Sequence, residues 1–194
     1  MQKFDKLWIP EFSYDQNLSG ILSHTIRMPA NAIYIGLLSR YTDFKPLIGP
    51  GENFEVVLLL SGPEPQRSVF EKTVTDQLLT QKLKSIVIGG QTGEKLWEEL
   101  SGSCRRVSFV SGDELYSILK SAKYIICRSG YSTVMDLVTI GKTAFLVPTP
   151  GQTEQEYLAT FLQEKGLFLF SKQKDFQLEE AIRGLDGFRQ AELR

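Results

Sequence analysis

The chain has 194 residues, 42% hydrophobic and 23% charged, with 22 Lys and Arg against 23 Asp and Glu. Its length fits one domain with an appendage or two small domains, and its composition is that of an ordinary globular protein. The net charge of -1 offers no basic face for a nucleic-acid partner, and no apolar stretch approaches the roughly 20 residues of a membrane span.

Two cysteines, Cys104 and Cys127, make no disulfide framework. The N-terminus lacks the basic start and apolar core of a signal peptide, and no basic run marks a membrane-docking patch. A cytoplasmic protein is expected.

Residues 1–50 differ in texture from the remainder of the chain. Lys6–Pro10 and Ala32–Gly36 are predicted short strands, separated by segments without a clear period. Leu37–Asn53 carries Pro46, Gly49, Pro50 and Gly51, breakers that predict a linker.

From Glu55 the pattern turns regular. "EVVLLL" is a near-continuous apolar run and predicts a strand. Phe70, Val74 and Leu78 then fall four apart, the stripe of a helix. Ser85–Gly90 predicts a second strand, Gly93–Leu100 a short helix, and Arg106–Val110 a third strand. Asp113–Ala122 predicts a helix with Leu115, Ile118 and Leu119 on one side. Strand Lys123–Cys127, helix Ser132–Ile140, strand Thr143–Pro148, helix Glu154–Lys165, strand Leu167–Phe170 and a last helix Phe176–Arg183 complete the series.

Strands without alternation are buried on both faces, and here they alternate with helices. The fold class is therefore α/β, a Rossmann-like doubly wound parallel sheet. Ligands of such sheets bind outside the carboxyl ends of the strands. That directs attention to the loops Ser61–Gln66, Gly89–Gly93, Val110–Gly112, Arg128–Tyr131 and Thr149–Thr153.

Some motifs fail on inspection. Gly141-Lys142-Thr143 precedes a strand, whereas a phosphate loop needs it to open a helix and needs Gly at Asp136. No Cys/His set has zinc spacing, and no Asp-x-Asp pair is present to hold a metal-bound diphosphate. No metal and no cofactor are expected. His24, the one histidine, reads as a satisfied loop residue.

Three loops carry chemistry. In "SGPEPQR", Gly62 lets a ligand approach the backbone, and Arg67 at a helix start can pair with an anion, although taken alone the loop reads rather as an ordinary turn punctuated by Pro63 and Pro65. In "RSGYST", Gly130 permits a tight turn, and Ser132 or Thr133 can cap the next helix. The helix start then offers unpaired N–H donors to a diphosphate, and Thr133 with Asp136 forms a variant capping box. In "PTPGQTEQEYLA", Gly151 gives backbone access. Gln152, Thr153, Glu154 and Gln155 suit the hydroxyls of a sugar, and Thr153 with Glu156 can also cap.

The stretch from Ile126 to Gly166 resembles the donor-binding half of glycosyltransferase family 28, a family that includes the bacterial N-acetylglucosaminyltransferase of peptidoglycan assembly, and the resemblance spans roughly Glu55–Gly166. The carrying signature is strand-Arg-small-Gly-x-x-Thr-x-x-acid, followed some 15 residues on by a loop bearing Pro, Gly and Glu-Gln. The resemblance implies the C-terminal half of a two-domain GT-B enzyme. Residues 1–50 would be the interdomain segment and residues 51–194 the donor-binding domain.

It further implies that Asp136 bonds the ribose, that Ser129, Gly130, Ser132 and Thr133 meet the diphosphate, and that Glu154 and Gln155 read the sugar. Phe109 and Val110 would read the base, typically uracil, while Ser61 and Gly62 match the loop after the first strand. Arg67, Arg128, Gly151 and Gln152 complete the candidate donor set. Asp136 stands where Glu is commoner, and Ser-Gly-Pro-Glu-Pro replaces a longer Gly-rich loop.

The implied function is the donor-binding domain of an inverting, metal-independent glycosyltransferase using a UDP-sugar. Its catalytic base belongs to an N-terminal acceptor domain, in cis or as a partner subunit, so no catalytic residue is assigned and the chain alone is expected to be inactive. The abrupt start points to a fragment, and the full enzyme is expected to allow peripheral membrane association. A nucleotide-sugar epimerase-like domain and a non-catalytic nucleotide-binding subunit are the alternatives.

Overall fold

The computed structural model describes residues 4–13, 16–24, 27–44, 52–91 and 93–191. The breakers Pro46, Gly49, Pro50 and Gly51 lie outside the described residues, as does Thr92 in the Gly89–Gly93 loop.

Apolar runs become strands here because the centre of a parallel sheet has no wet face. In β3 (Val56–Leu59), β4 (Ser85–Ile88) and β7 (Tyr124–Cys127) nearly every side chain is buried. Their alternate residues feed two cores. Val57, Ile86, Ile125 and Cys127 pack toward α2 (Gly112–Ser121), α3 (Tyr131–Thr139) and α4 (Thr153–Glu164). Val56, Leu58, Val87 and Ile126 pack toward α1 (Gln66–Gln81) and α5 (Leu178–Gly187). The stripe Phe70, Val74 and Leu78 is wholly buried, each side chain contributing roughly 1.5–3 kcal/mol. α1 stops at Lys82, whose φ of 53° turns its N–H back to the Leu78 carbonyl, an αL ending.

With β5 (Trp97–Ser101), β6 (Cys104–Val107), β8 (Phe145–Leu146) and β9 (Leu169–Phe170), the described residues form a seven-stranded sheet. Its order is β5-β6-β4-β3-β7-β8-β9, parallel except for the β5–β6 pair. From β3 the chain winds outward through β4 and β6, then returns to β7 on the other side. That reversal, between β3 and β7, is where a doubly wound sheet opens a crevice.

The helix expected over Gly93–Leu100 is absent: β5 stands there, antiparallel to β6. Gly93 has φ 120°, which no helix start tolerates. Leu96 and Trp97 are 61% and 49% exposed, so no core draws this stretch into a helix. Pairing with β6 satisfies the backbone instead, through a turn in which Ser101 Oγ accepts the N–H groups of Ser103 and Cys104. The strand expected over Arg106–Val110 is displaced to Cys104–Val107, so Phe109 and Val110 leave the sheet.

Ahead of this sheet, β1 (Leu7–Ile9) and β2 (Ala32–Tyr34) pair in parallel as a separate two-stranded sheet, Trp8 opposite Ile33. Leu18 and Tyr41 of this segment join the main core. Glu11, fully buried, accepts the N–H groups of Leu18 and Ser19 and the Tyr131 hydroxyl, pinning the segment to the first residue of α3. Burial, reinforced by Glu11, pushes the Tyr131 phenol far above its ordinary range. Among the described residues no helix is long and apolar enough to cross a membrane.

Both cysteines are buried, and burial pushes the Cys127 thiol up to about 12. Folding therefore favours the protonated thiol. That stabilisation is complete below the unfolded value of about 8.5 and is lost as pH rises toward 12. Native protein at pH 8 is expected to leave both thiols unreactive toward Ellman's reagent, with reaction only on unfolding in urea. Labelling of the native chain at the rate of a free thiol would contradict this burial.

Candidate functional site

A cleft of about 280 Å³ opens at the carboxyl ends of β3, β4 and β6, close to the roughly 300 Å³ at which ligand pockets begin. Its floor is Leu59, Leu60 and Ser61 with Ile88 and Gly90, one wall is α2 through Leu115 and Leu119, and the other is α3. Gly90, with φ 62°, lies so near β3 that a Cβ on it would sit 2.4 Å from the Leu60 carbonyl oxygen. Phe109 and Val110, turned out beyond β6, close the side next to α2. Of the residues expected at a site, Ser61, Phe109, Val110, Ser132, Thr133 and Asp136 line this cleft.

The wall from α3 is built differently from the expected caps. Gly130 is the N-cap, with φ -71° and ψ 135°, and no side chain caps the helix. Neither Ser132 nor Thr133 caps, because both already belong to the first helical turn, where a hydroxyl cannot fold back to its own N–H groups. A Cβ added to Gly130 would meet nothing within 4 Å. The first N–H groups of α3 have no intrahelical partner. Ser132 and Thr133, in that first turn, line the cleft, at the positive end of the helix dipole.

The Thr133–Asp136 box is likewise not formed. Asp136 accepts the Ser39 hydroxyl at 2.7 Å and pairs with Arg40 Nε at 2.8 Å. A charged guanidinium is a stronger partner than an amide. Ser39 Oγ also accepts the Tyr41 N–H at 3.1 Å, which orients its proton toward Asp136. Tyr41, 4% exposed, is held in an aromatic group with Phe44 and Tyr116, and burial pushes its phenol up to about 12. Arg40 thus enters the cleft from a stretch that reads as a linker. No local pattern announces it, since its function depends on contact with a helix almost a hundred residues later.

Other expected residues lie outside the cleft. Arg128 points inward, 1% exposed, donating to the carbonyls of Val147, Pro148 and Gln66 with its guanidinium 4.2 Å from the Phe70 ring centre. Ser129 is buried and donates to the Gln155 carbonyl. Arg67 is committed to Glu64, which also accepts the Ser68 N–H at the start of α1. Both guanidiniums are engaged in contacts within the protein, and neither residue lines the cleft.

The expected residues Gly151, Gln152, Glu154 and Gln155 do not line the cleft; Thr149, just before them, lies 3.4 Å from where a Cβ on Gly62 would sit. Gln155 holds the Thr149 N–H and bonds the Gln152 side chain, while Glu154 is exposed. Here too the expected cap is replaced. Gln152 is the N-cap, and Glu156 reaches back to the Gly151 N–H at 3.1 Å.

Residues 56–193 match the family model of the glycosyltransferase family 28 C-terminal domain. An uncharacterized glycosyltransferase of Methanosarcina acetivorans is 27% identical over 171 residues, 85% of this chain and 44% of that protein. The UDP-N-acetylglucosamine--N-acetylmuramyl-(pentapeptide) pyrophosphoryl-undecaprenol N-acetylglucosamine transferase of Elusimicrobium minutum is 27% identical over 148 residues. That match covers 71% of this chain and 41% of that enzyme. The chain spans less than half the length of either relative.

Among solved structures, glycosyltransferase SnogD from Streptomyces nogalater superposes with a TM-score of 0.59 at 16% identity, over 87% of this chain and 44% of its own. The glycotransferase of kitacinnamycin does so with 0.62 at 14% identity, over 88% and 45%. Both share the fold, that of GT-B glycosyltransferases. The family match begins at the first strand of the seven-stranded sheet and takes in the floor and both helical walls of the cleft. The chain therefore belongs to glycosyltransferase family 28, through its C-terminal domain.

Proposed function

We propose that this chain binds the nucleoside-diphosphate sugar, with UDP as the nucleotide, for an inverting, metal-independent glycosyl transfer. The observation that carries this reading is the uncapped, unobstructed start of α3 with the Arg40 guanidinium beside it in one cleft. The base lies against Phe109 and Val110, and the diphosphate sits on the N–H groups around Ser132 and Thr133. The sugar extends past Gly62 toward Gln152, Glu154 and Gln155. As the glycosidic bond breaks, charge grows on the departing diphosphate. Donors already aimed at it stabilise that charge without reorganisation.

The acceptor and the base that deprotonates it come from a further unit, fused or separate. Its support is the β1–β2 sheet, whose Trp8 is 67% and Ile33 42% exposed. Parallel sheets normally have both faces covered, and two strands alone are marginal. Alone, the chain binds nucleotide and transfers nothing, because positioning supplies much of the rate. The complete enzyme works at the cytoplasmic side, peripheral to the membrane.

Calorimetric titration with UDP and UDP-sugars, with and without magnesium, tests the reading. Saturable binding indifferent to the metal is expected. Thr133→Asp, which sets a negative charge on the phosphate seat, is expected to weaken UDP on the order of tenfold or more while sparing uridine. Saturation by NAD or ATP with no response to any nucleoside-diphosphate sugar would overturn the assignment.

A further inference from the structure

We infer that Glu11 is a positioning residue for the phosphate seat: through the Tyr131 hydroxyl, its carboxylate fixes the start of α3 against the segment that carries Arg40. This rests on the donor-binding reading above and concerns how the seat is held together.

The seat is made from two separate pieces of chain. Arg40 belongs to the N-terminal segment, Ser132 and Thr133 belong to the first turn of α3, and all three line the cleft. Their relative position depends on what ties the segment to that turn. Glu11 is fully buried, and its Oε2 accepts the N–H groups of Leu18 at 2.9 Å and Ser19 at 2.8 Å. Oε1 accepts the Phe12 N–H at 2.7 Å. These donors bind the carboxylate to its own segment, and the Gly36 N–H, on the stretch leading to Arg40, bonds the Glu11 carbonyl at 3.1 Å. On the other side stands Tyr131, whose hydroxyl lies 2.8 Å from Oε2. The Pro10 carbonyl, also of the segment, is 3.0 Å from that hydroxyl, but a carboxylate is the stronger acceptor.

A buried carboxylate is a costly anchor, and the segment does not need it for attachment alone. Leu18 and Tyr41 already enter the core, and the Tyr157 hydroxyl on α4 accepts the Ile21 N–H at 2.9 Å. Apolar contact is non-directional, whereas a hydrogen bond weakens steeply as its angle closes. Glu11 therefore adds direction. Tyr131 is the first residue of α3, directly after the N-cap Gly130, so holding its ring orients the turn whose N–H groups have no intrahelical partner. Donors set in place before a charge arrives or grows act on it without reorganisation.

The test titrates UDP, inorganic pyrophosphate and uridine into the wild type, Tyr131→Phe, Glu11→Gln, the double variant and Tyr157→Phe. Tyr131→Phe removes one oxygen and leaves Glu11 its N–H donors. It is expected to weaken UDP and pyrophosphate by a common factor of about tenfold. Glu11→Gln keeps the shape and gives up the charge, for an expected loss of about threefold. The double variant should be no worse than Tyr131→Phe, as coupled residues behave. Uridine should be unchanged throughout, its base being placed at Phe109 and Val110. Tyr157→Phe cuts a tie of the same segment away from the seat and should leave all three ligands within about twofold of the wild type.

Unchanged affinity of Tyr131→Phe for UDP and pyrophosphate, even with a lowered melting temperature, would overturn the inference and leave Glu11 an anchor only. An equal loss in Tyr157→Phe, or a loss of uridine in step with UDP, would do the same. If Glu11→Gln fails to fold, Tyr131→Phe and its Tyr157→Phe control decide alone. Should the wild type bind neither UDP nor pyrophosphate, the donor reading fails, and amide hydrogen exchange decides whether Glu11 fixes the start of α3. Faster exchange at Val134, whose N–H bonds the Gly130 carbonyl at 3.0 Å, in Tyr131→Phe but not in Tyr157→Phe supports the inference. Exchange at the same rate in both variants sinks it.

Discussion

Replacing Arg128 with alanine is expected to lower the unfolding free energy by about 3–5 kcal/mol. The side chain lies inside the protein, where burial pulls its pKa down to about 10, so it is still cationic at neutral pH. Its desolvation is offset by three carbonyl acceptors, on Val147, Pro148 and Gln66, and by the face of Phe70. Truncation removes all four partners together. Three carbonyls lose their donor, and a cavity opens beside Phe70.

Those carbonyls belong to the loop before α4 and to the first residue of α1. Arg128 therefore sets the spacing of the two loops that meet at Gly62 and Thr149. Urea unfolding followed by far-UV circular dichroism measures the loss. Arg128→Met, which fills the space without a charge to desolvate, is expected to recover part of it. A change below about 1 kcal/mol in Arg128→Ala would show that the carbonyls find other donors.

Gly90→Ala is expected to cost about 3 kcal/mol through strain and collision together. The left-handed φ of 62° is unfavourable for any residue with a Cβ, by about 1–2 kcal/mol. The added carbon would stand 2.4 Å from the Leu60 carbonyl oxygen, so β3 and β4 must part where they form the cleft floor. Overpacking of this kind adds about 1–3 kcal/mol. For a chain of this size the sum corresponds to a melting temperature lowered by about 6–12 °C. Gly130→Ala is the control. Its φ is -71° and nothing lies near the new carbon, so a change within about 0.5 kcal/mol is expected. Equal melting temperatures for Gly90→Ala and Gly130→Ala would refute the close approach of the two strands.

The contrast between these two glycines bears on how the chain can be read. Both sit in loops after apolar runs, and nothing in the flanking letters separates them. The clash at Gly90 exists because β3 and β4 are neighbours in the sheet. The freedom at Gly130 exists because α3 starts at the mouth of a cleft. Likewise Arg128 and Arg40 are the same side chain in polar, turn-like surroundings. One is swallowed by the core, and the other is held at the cleft by a partner distant in sequence. The helix expected at Gly93–Leu100 failed for the same reason, since the open edge of β6 offered backbone partners that local preference does not register.

Amino-acid order by itself determined the architecture. Unbroken apolar runs such as Val56–Leu60 and Tyr124–Cys127 can be satisfied only between two helical layers. The stripe Phe70, Val74, Leu78 demands a helix to cover them, and Gly130 with Thr133 and Asp136 marks the turn from β7 into α3. These are local facts, carried by residues within a turn or a strand of one another. Only the tertiary structure decided which polar groups line the cleft: Arg40 in, Arg128, Ser129 and Arg67 out. A side chain's partner is chosen by burial and proximity across the fold, and those quantities come into being once the sheet has closed.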